Sequence, residues 1–490
     1  SLRNFNVSYR NNAQLSLPGF MPNVGDIFGQ SRMGSLFVPG LDFAFATAGE
    51  DYVQRAADRG WLLQSDSITT PATFAQTEDF QLRAQIEPAR DFRISLTFSR
   101  NHNRNKTIQY MFEGMPSLQS GSFAMTTLSL GSAFSSNGTA DNGYRSARFQ
   151  QFLGALDRYQ ARLQQRYVGT TYPAGLGSWS GQPYNPENGV VGKYSSEVMI
   201  PAFLDTYTSM GGTTDIFPIL TKLLPNWTLT YSGLASLPAF KRWFRAFNLN
   251  HSYRSLYNVG SYNSFQSYRS AVDGLGFISN VENGRPQPSS QFDISTVSIN
   301  ESFSPLLGVD ATFYNSMTAK LEMRRTRVLT LSMASQLLTE THSNDIVVGF
   351  GYRVNDFKFP TFGGSGVKGK SSKSRRSARS ASANNSNNDS FSDNASGTPG
   401  DGFAHSLNLR LDLSFRDQSA LQRNLLTTLS QATSGNRAVQ ISFSADYAVS
   451  RFFTISAYYE RQMNRPLLTS SAFPTTVQDF GLNLKFQLAR

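Results

Sequence analysis

Polar and apolar residues alternate along four C-terminal segments of this chain, for as long as a strand needs to cross a bilayer. The first segment, 405–415, has Leu or Phe at every second position and mainly polar residues between them. The pattern recurs over 437–447, 453–459 and 480–488. Transmembrane β-strands alternate in this way over about ten residues, whereas strands of soluble proteins are usually about five or six residues long. The pattern predicts an all-β fold, the wall of a transmembrane antiparallel β-barrel. The expected lipid-facing residues include Leu409, Leu411, Ile441, Phe443, Leu482 and Leu484.

The composition agrees with a barrel and excludes a helical membrane protein. The chain has 490 residues with a mean hydropathy of −0.34, and no apolar run approaches the roughly 18 residues of a transmembrane helix. A barrel escapes this test because every second strand residue faces water. The 38 Phe and 20 Tyr residues suit lipid-facing strands with interfacial aromatic girdles. A large soluble all-β protein is the alternative.

Cysteine content and charge limit the remaining classes. The chain has no cysteine, which excludes a disulfide framework and a thiolate metal site. The net charge of +11 suggests nucleic-acid binding, but six positive charges lie in one low-complexity segment, 363–402. That segment cannot bury enough apolar area to offset its ordering entropy, so it is predicted to be a disordered basic loop. We therefore expect no nucleic-acid partner.

Sixteen strand candidates follow from alternation and turn residues. They lie at 3–11, 80–87, 91–99, 107–113, 122–134, 226–233, 247–257, 262–271, 291–303, 309–322, 328–336, 345–358, 404–415, 437–447, 452–461 and 477–488. Antiparallel barrels carry short turns on the periplasmic side and long loops outside. With the C-terminus taken as periplasmic, the turns 88–90, 323–327 and 448–451 fall on the periplasmic side. Three long segments fall outside: 12–79, 136–225 and 416–436.

The two largest insertions are expected to form folded extracellular structure. Insertion 136–225 contains an amphipathic helix pattern over 146–167, and insertion 12–79 contains a shorter one over 51–61. We expect them to form a cap over the pore mouth. By the same count of strands the basic loop 363–402 is periplasmic.

Residues 236–247 interleave aromatic and basic side chains, as in Lys241, Arg242 and Trp243. Such a segment suits a membrane interface. The alternative is an RNA-binding patch, but a single short turn between two strands favours the interface.

The sequence offers little that indicates catalysis or metal binding. His102, His251, His342 and His405 are far apart and lack metal-ligand spacing. Two glycines flank Phe350 inside a strand, where they are expected to relieve crowding or bend the strand. A lumen-side pair, Arg410 and Asp412, is expected to be a solvated wall pair. We expect no enzyme activity and no catalytic, cofactor-binding or metal-binding residues.

Several motifs resemble, in order and spacing, the C-terminal end of the SprA/Sov family, the outer-membrane translocon of the type IX secretion system. The likeness covers nearly the whole chain. No single motif is specific for the family, but the complete set of motifs in this order is. Its members are Leu17-Pro18-Gly19-Phe20, Arg59-Gly60-Trp61-Leu62, Pro201-Ala202-Phe203-Leu204, Pro225-Asn226-Trp227-Thr228-Leu229-Thr230-Tyr231-Ser232-Gly233-Leu234, Asn300-Glu301-Ser302-Phe303-Ser304-Pro305-Leu306-Leu307-Gly308-Val309-Asp310, Leu338-Thr339-Glu340 and Val348-Gly349-Phe350-Gly351-Tyr352-Arg353.

The resemblance implies a bacterial outer-membrane pore that exports folded proteins to the cell surface. Family members are very long chains that form one giant barrel, so residues 1–490 would be a C-terminal segment of such a wall. The chain starts at Ser1 without a signal-peptide pattern, so we expect a processed product, a trimmed piece or a natural split subunit.

The implied partners are the remaining strands of the same giant barrel, outer-membrane lipid and three kinds of protein. These are a PorV-like small barrel at a lateral opening, a plug protein at the periplasmic end, and secreted cargo with a C-terminal signal. An autonomous sixteen-strand porin for small solutes is the alternative. A soluble extracellular adhesion protein is the third hypothesis.

Overall fold

The computed structural model describes residues 1–23, 25, 29–33, 36–45, 47–63, 70–110, 117–219, 224–280, 283–355, 357, 406–450, 452–468 and 472–487. The strands in these ranges are β1 (Leu2–Ser16), β2 (Ser31–Met33), β3 (Leu36–Val38), β4 (Ala72–Ala89), β5 (Phe92–Ile108), β6 (Leu118–Thr126), β7 (Asn226–Tyr231), β8 (Phe244–Ser264), β9 (Arg269–Ser270), β10 (Gly276–Ser279), β11 (Pro286–Pro288), β12 (Phe292–Ile294), β13 (Thr296–Phe313), β14 (Met317–Ser332), β15 (Leu337–Asn355), β16 (Ser406–Asn424), β17 (Ser430–Ser450), β18 (Phe453–Pro466) and β19 (Thr475–Phe486). The helices are α1 (Leu41–Ala44), α2 (Asp51–Asp58), α3 (Leu130–Ala133), α4 (Ala147–Tyr167) and α5 (Ser196–Tyr207).

Fourteen strands form one large antiparallel sheet in the order β1-β4-β5-β6-β8-β13-β14-β15-β16-β17-β18-β19, with β7 and β12 beside this path. β6 pairs with one half of β5 and β7 with the other half, so the two lie end to end in one position. β12 pairs with the end of β8 and leads into β13. Fourteen strands therefore occupy twelve positions, and we call this sheet the wall. The prediction of sixteen strands is wrong for the described residues.

Twelve is an even number, so β1 begins and β19 ends at the same end of the wall. We call this the lower end and the opposite one the upper end. The turns after β4 and β13 and the connection from β15 to β16 join strands at the lower end. The β14–β15 and β16–β17 turns lie at the upper end. The predicted basic loop 363–402 belongs to the lower connection, and its conformation lies outside the described residues.

Several predicted boundaries differ because the strands are longer than expected. The predicted turn 323–327 lies inside β14, and the real turn follows Phe313. The predicted outer loop 416–436 consists mostly of β16 and β17, joined by a short turn. Candidate 247–257 lies inside β8, which continues to Ser264 and so includes only the first three residues of candidate 262–271. The predicted strand 107–113 is not a separate strand in its described part, which only ends β5.

A buried charged residue explains the misplaced turn 323–327. Arg327 lies on the mainly apolar face of β14, where it pairs directly with Glu301 of β13. A charged residue at an expected apolar position breaks the period of two that predicts a strand. Residues 323–327 were therefore predicted to be a turn, whereas Glu301 lies inside the predicted strand 291–303.

Candidate membrane-spanning wall

One face of the lower wall carries a band of mainly apolar side chains. Leu411 of β16 pairs with Phe350 of β15 and Phe443 of β17. Tyr459 of β18 continues the row from Phe443 to Phe480 of β19. Phe350, Phe443 and Phe480 are 46%, 40% and 72% exposed in the isolated chain. We call this set the apolar band; it comprises every second residue of 5–9, 80–86, 92–96, 227–231, 247–249, 307–313, 319–323, 346–352, 407–415, 439–447, 453–459 and 480–486.

The dimensions of the apolar band suit a bilayer. On β16 it runs over nine residues, 407–415, and on β17 over 439–447. A tilted transmembrane strand needs about 9–11 residues. All six residues that were expected to face lipid lie in the band, and it extends from one edge strand of the wall to the other. Such a band is typical of lipid-facing surfaces of outer-membrane barrels.

Aromatic rings mark the lower edge of the apolar band. The turn 236–247, predicted to lie at a membrane interface, adds Trp243, which is 67% exposed. Aromatic girdles occupy the two interfaces of membrane barrels. The ring pairs at this edge are Phe92 with Tyr231 (5.8 Å between centroids), Phe244 with Phe313 (4.7 Å) and Phe453 with Phe486 (4.3 Å).

The opposite face of the lower wall is polar, and we call it the polar face. Arg410 and Asp412 form an exposed ion pair there, with 2.6 Å between Nε and Oδ2. Gly349 and Gly351 leave room beside them, because a Cβ at 349 would lie 2.9 Å from Asp412 Oδ1 and one at 351 would lie 2.5 Å from Thr318 Oγ1. The glycines therefore relieve crowding at the floor of a polar hollow.

Residues 127–219, with helices α3, α4 and α5, form a cap that packs on the upper wall. Phe152 and Leu156 of α4 and Phe203 of α5 share one core with Val297 and Ile299 of β13. These strand residues lie on the same face as the apolar band. The cap therefore covers the upper part of the apolar-band face and not the polar face. The expectation of a cap over the pore mouth stays a prediction.

The cap is inserted into the middle of a strand position. β6 ends at Thr126 halfway along the wall, and β7 resumes the same position at Asn226. Hydrogen bonds close the break: Ser99 N–H donates to Thr126 Oγ1 (3.0 Å), and Ser255 N–H donates to Asn226 Oδ1 (2.7 Å). Insertion 136–225 is thus not a loop between two full strands, as the count of alternating strands had assumed.

A buried ion pair joins the wall to the first turn of the cap. The carboxylate of Glu301 lies 2.8 Å from Arg327 Nη2, and both side chains are 2% exposed. Ser129 Oγ and Tyr253 Oη donate hydrogen bonds to Glu301 Oε1 at 2.7 and 3.0 Å. Arg327 Nη1 donates to Ser132 O at 2.7 Å. The contacts of Ser129 and Ser132 tie the cap to strands β13 and β14, which lie far away in the sequence.

A second buried pair fixes the cap further along the wall. Arg423 of β16 is fully buried, and its guanidinium lies 3.1 Å from Glu340 Oε2 of β15. The same guanidinium donates to Tyr144 O (2.6 Å) and Asn137 O (3.3 Å) in the segment before α4. Buried charges of this kind are retained only when their hydrogen bonds are satisfied.

Glu197 lines a cavity of about 470 Å³ in the cap, together with Arg166 and Tyr268. Its Oε1 is buried without a hydrogen-bond partner among the described residues. Burial raises the pKa of the Glu197 carboxyl to about 7, and the charge of Arg166 opposes this effect only in part. The protonated form is therefore favoured in the folded cap.

The cap is expected to lose stability as the pH rises from about 4.5 to above 7. In this range the unfolded chain ionises Glu197 while the folded cap retains the proton, so ionisation favours unfolding by about 3 kcal/mol at pH 8. Glu197→Gln should remove this dependence. Amide hydrogen exchange of α5 at pH 5 and pH 8, corrected for intrinsic rates, measures it. Glu187→Gln, on an exposed turn, is the control, and an unchanged pH dependence in Glu197→Gln would contradict the assignment.

Residues 12–79 contribute a separate small core at the upper end of β1 and β4. Tyr52 and Val53 of α2 pack with Trp61, and Tyr52 Oη donates to Pro39 O at 2.5 Å. The short hairpin β2–β3 belongs to the same insertion. The insertion thus folds on the end of the wall rather than within a strand position.

No group of three His, Asp or Glu residues in the described part of the chain could hold a metal ion. His102 contacts Tyr262 Oη at 3.0 Å, and His251 Nδ1 lies 2.7 Å from Leu306 O. His342 lies beside Glu340, and His405 is outside the described residues. None of the helices in the described ranges is long and apolar enough to cross a membrane.

Comparison with solved structures found an outer-membrane protein. It is OmpT of Vibrio cholerae, folded in vitro and solved in its trimer form; the alignment covers 85% of this chain and 93% of that chain at 9% identity, with a TM-score of 0.19. A TM-score this low supports no conclusion about the fold or function of this chain. No protein-family profile matches the sequence, and no curated protein matches it either.

Proposed function

We propose that this chain forms part of an outer-membrane β-barrel wall that conducts folded proteins to the cell surface, as the SprA/Sov translocon does. The observation that carries the proposal is the apolar band. It extends over twelve strand positions, reaches the height of a bilayer core at β16 and β17, and is backed by a polar face. A lipid environment would offset the exposure of so much contiguous apolar surface.

The wall has two edges that need further strands. β1 pairs only with β4, and β19 only with β18, among the described residues. Both edge strands carry the apolar band, with Tyr9 62% and Leu482 61% exposed. An unpaired edge in lipid leaves N–H and C=O groups without partners, at several kcal/mol each. We therefore propose that other strands of a larger barrel, on the same or another chain, separate these edges.

A wide protein-conducting pore needs no bond chemistry. The polar face would line the lumen, and its mixed charges, such as Lys320, Glu322 and Arg324, would give cargo no strong single-sign field. We accordingly propose no catalytic residue and no cofactor. The proposed partners are secreted proteins with a C-terminal signal, a PorV-like small barrel at a lateral opening, and a plug protein at the lower, periplasmic end.

A closed porin for small solutes is the second candidate. An even number of strand positions suits an autonomous barrel. In that case β1 and β19 would pair with each other, and the two hypotheses therefore make opposite predictions about one strand pair.

Paired cysteines at Val7 and Leu484, or one residue to either side, are expected not to crosslink within one chain in the membrane. The chain has no native cysteine, so crosslinks report only the introduced pair. Val7→Cys with Leu82→Cys is the positive control, because these residues pair directly between β1 and β4. Efficient crosslinking of Val7 to Leu484, with small-solute channels from this chain alone, would overturn the translocon and favour the porin. A chain that remains soluble without detergent would contradict both.

A further inference from the structure

One row of paired residues crosses the wall just above the apolar band. Arg325 of β14 pairs with Asn344, Asn344 with Asp417, Asp417 with Arg437, and Arg437 with Arg465. All five lie on the face of the apolar band. Three of the five are arginines, and the only acid is Asp417.

The positive charge in this row is not neutralised within the described residues. Arg437 Nη2 lies 3.2 Å from Asp417 Oδ2, but Arg465 makes no ion pair with a described residue. Arg461, four residues before Arg465 on the same face, has a buried Nε without a hydrogen-bond partner. Like charges directly opposite each other on paired strands destabilise a sheet. Arg437, Arg461 and Arg465 therefore carry more positive charge than Asp417 neutralises, which leaves a site for an anion.

The height of these three arginines on the wall indicates which anion they bind. Arg461 pairs with Ile441, so it lies at the height of the apolar band, while Arg437 and Arg465 lie just above it. In a bilayer this is the level at which acyl chains meet headgroups, and long arginine side chains reach toward that boundary. Guanidinium groups bind phosphate with two parallel hydrogen bonds.

We propose that Arg437, Arg461 and Arg465 bind the phosphate groups of an anionic lipid of the outer leaflet. The proposal rests on the proposed membrane wall and adds a lipid site that fixes the height of β17 and β18. The occupied site would also screen the two opposed arginines from each other.

Native mass spectrometry of the full chain, purified in detergent with the chains that accompany it, tests the site. The probes are diphosphorylated lipid A and its dephosphorylated form. Arg437→Gln with Arg465→Gln is expected to weaken binding of the phosphorylated probe about tenfold or more, because each charge-assisted contact is lost. Binding of the dephosphorylated probe should not change. Arg410→Gln with Arg416→Gln, on the polar face, is the matched control.

Folding of each variant is checked by its resistance to unfolding in detergent. Arg465→Lys is a milder change that keeps the charge. This variant should weaken binding of the phosphorylated probe less than the double variant does. Equal binding of both probes to the native chain, or an equal loss in the control pair, would overturn the proposal and leave an acidic protein surface as the counterion. Leu411→Cys should not react with a water-soluble maleimide in vesicles if the wall spans the bilayer. This measurement separates failure of the lipid site from failure of the wall.

Discussion

Leu411→Arg is expected to destabilise the wall in lipid vesicles by about 2–4 kcal/mol. Leu411 is the third of five apolar-band residues on β16, between Leu407 and Phe415, so it would lie near the bilayer midplane. An arginine there must either lose its hydration or draw water and headgroups into the core. Urea unfolding in vesicles, followed by tryptophan fluorescence, measures the free energy.

Ser442→Arg is the matched control for Leu411→Arg. Ser442 lies on the polar face, one residue along β17 from the partner of Leu411, and pairs with Asp412. Its substitution should change the unfolding free energy by less than about 0.5 kcal/mol. Equal losses at the two positions would show that the alternation does not divide lipid from lumen, and the membrane-wall proposal would then be wrong.

Glu301→Ala should cost about 3–5 kcal/mol, because it leaves Arg327 buried without a countercharge. Ser129 and Tyr253 would also lose the acceptor of their hydrogen bonds. The loss should appear first as faster hydrogen exchange in α3 and in the segment that leaves the wall after Thr126. Unfolding of the whole wall in urea measures the free energy.

Two controls separate the buried charge from the ion pair itself. Asp412→Ala breaks the exposed pair with Arg410 and should cost less than about 1 kcal/mol. Glu301→Leu combined with Arg327→Met removes both charges and should recover most of the loss, since apolar residues of similar volume often replace a buried pair without penalty. A double variant as unstable as Glu301→Ala would contradict the explanation by an uncompensated charge.

The position of the cap affects the proposed transport. Because the cap packs on the apolar-band face above the band, it would stand beside the pore and above the outer leaflet, leaving the polar face uncovered. The chain leaves the wall at Thr126 and returns at Asn226, so the cap is held at both ends by the same strand position. Glu301, Arg327 and Arg423, which belong to the two buried ion pairs of the wall, add hydrogen bonds between the cap and β13, β14 and β16. A cap fixed in this way suits a docking or anchoring element better than a movable lid.

The sequence by itself determined the kind of wall. Alternation over 405–415, 437–447, 453–459 and 480–488 predicted the last four strands, β16 to β19, and which of their residues share a face. This worked because the side chains of a strand point alternately to its two sides. Every second residue therefore has the polarity that suits the environment on its side of the sheet. Helical periodicity likewise predicted a helix over 146–167, where the structure has α4 (Ala147–Tyr167).

Only the tertiary structure decided where the insertions lie and how many strands the wall has. β6 and β7 are short and separated by the cap, so no local pattern shows that they complete one strand position. Arg327 was predicted to lie in a turn, because its burial depends on Glu301 and on Ser132 of the cap. A charge becomes acceptable in a core only through partners from distant parts of the chain. The alternation therefore fixed the two faces locally, while the number of strands and the side of the cap depended on contacts between residues far apart in sequence.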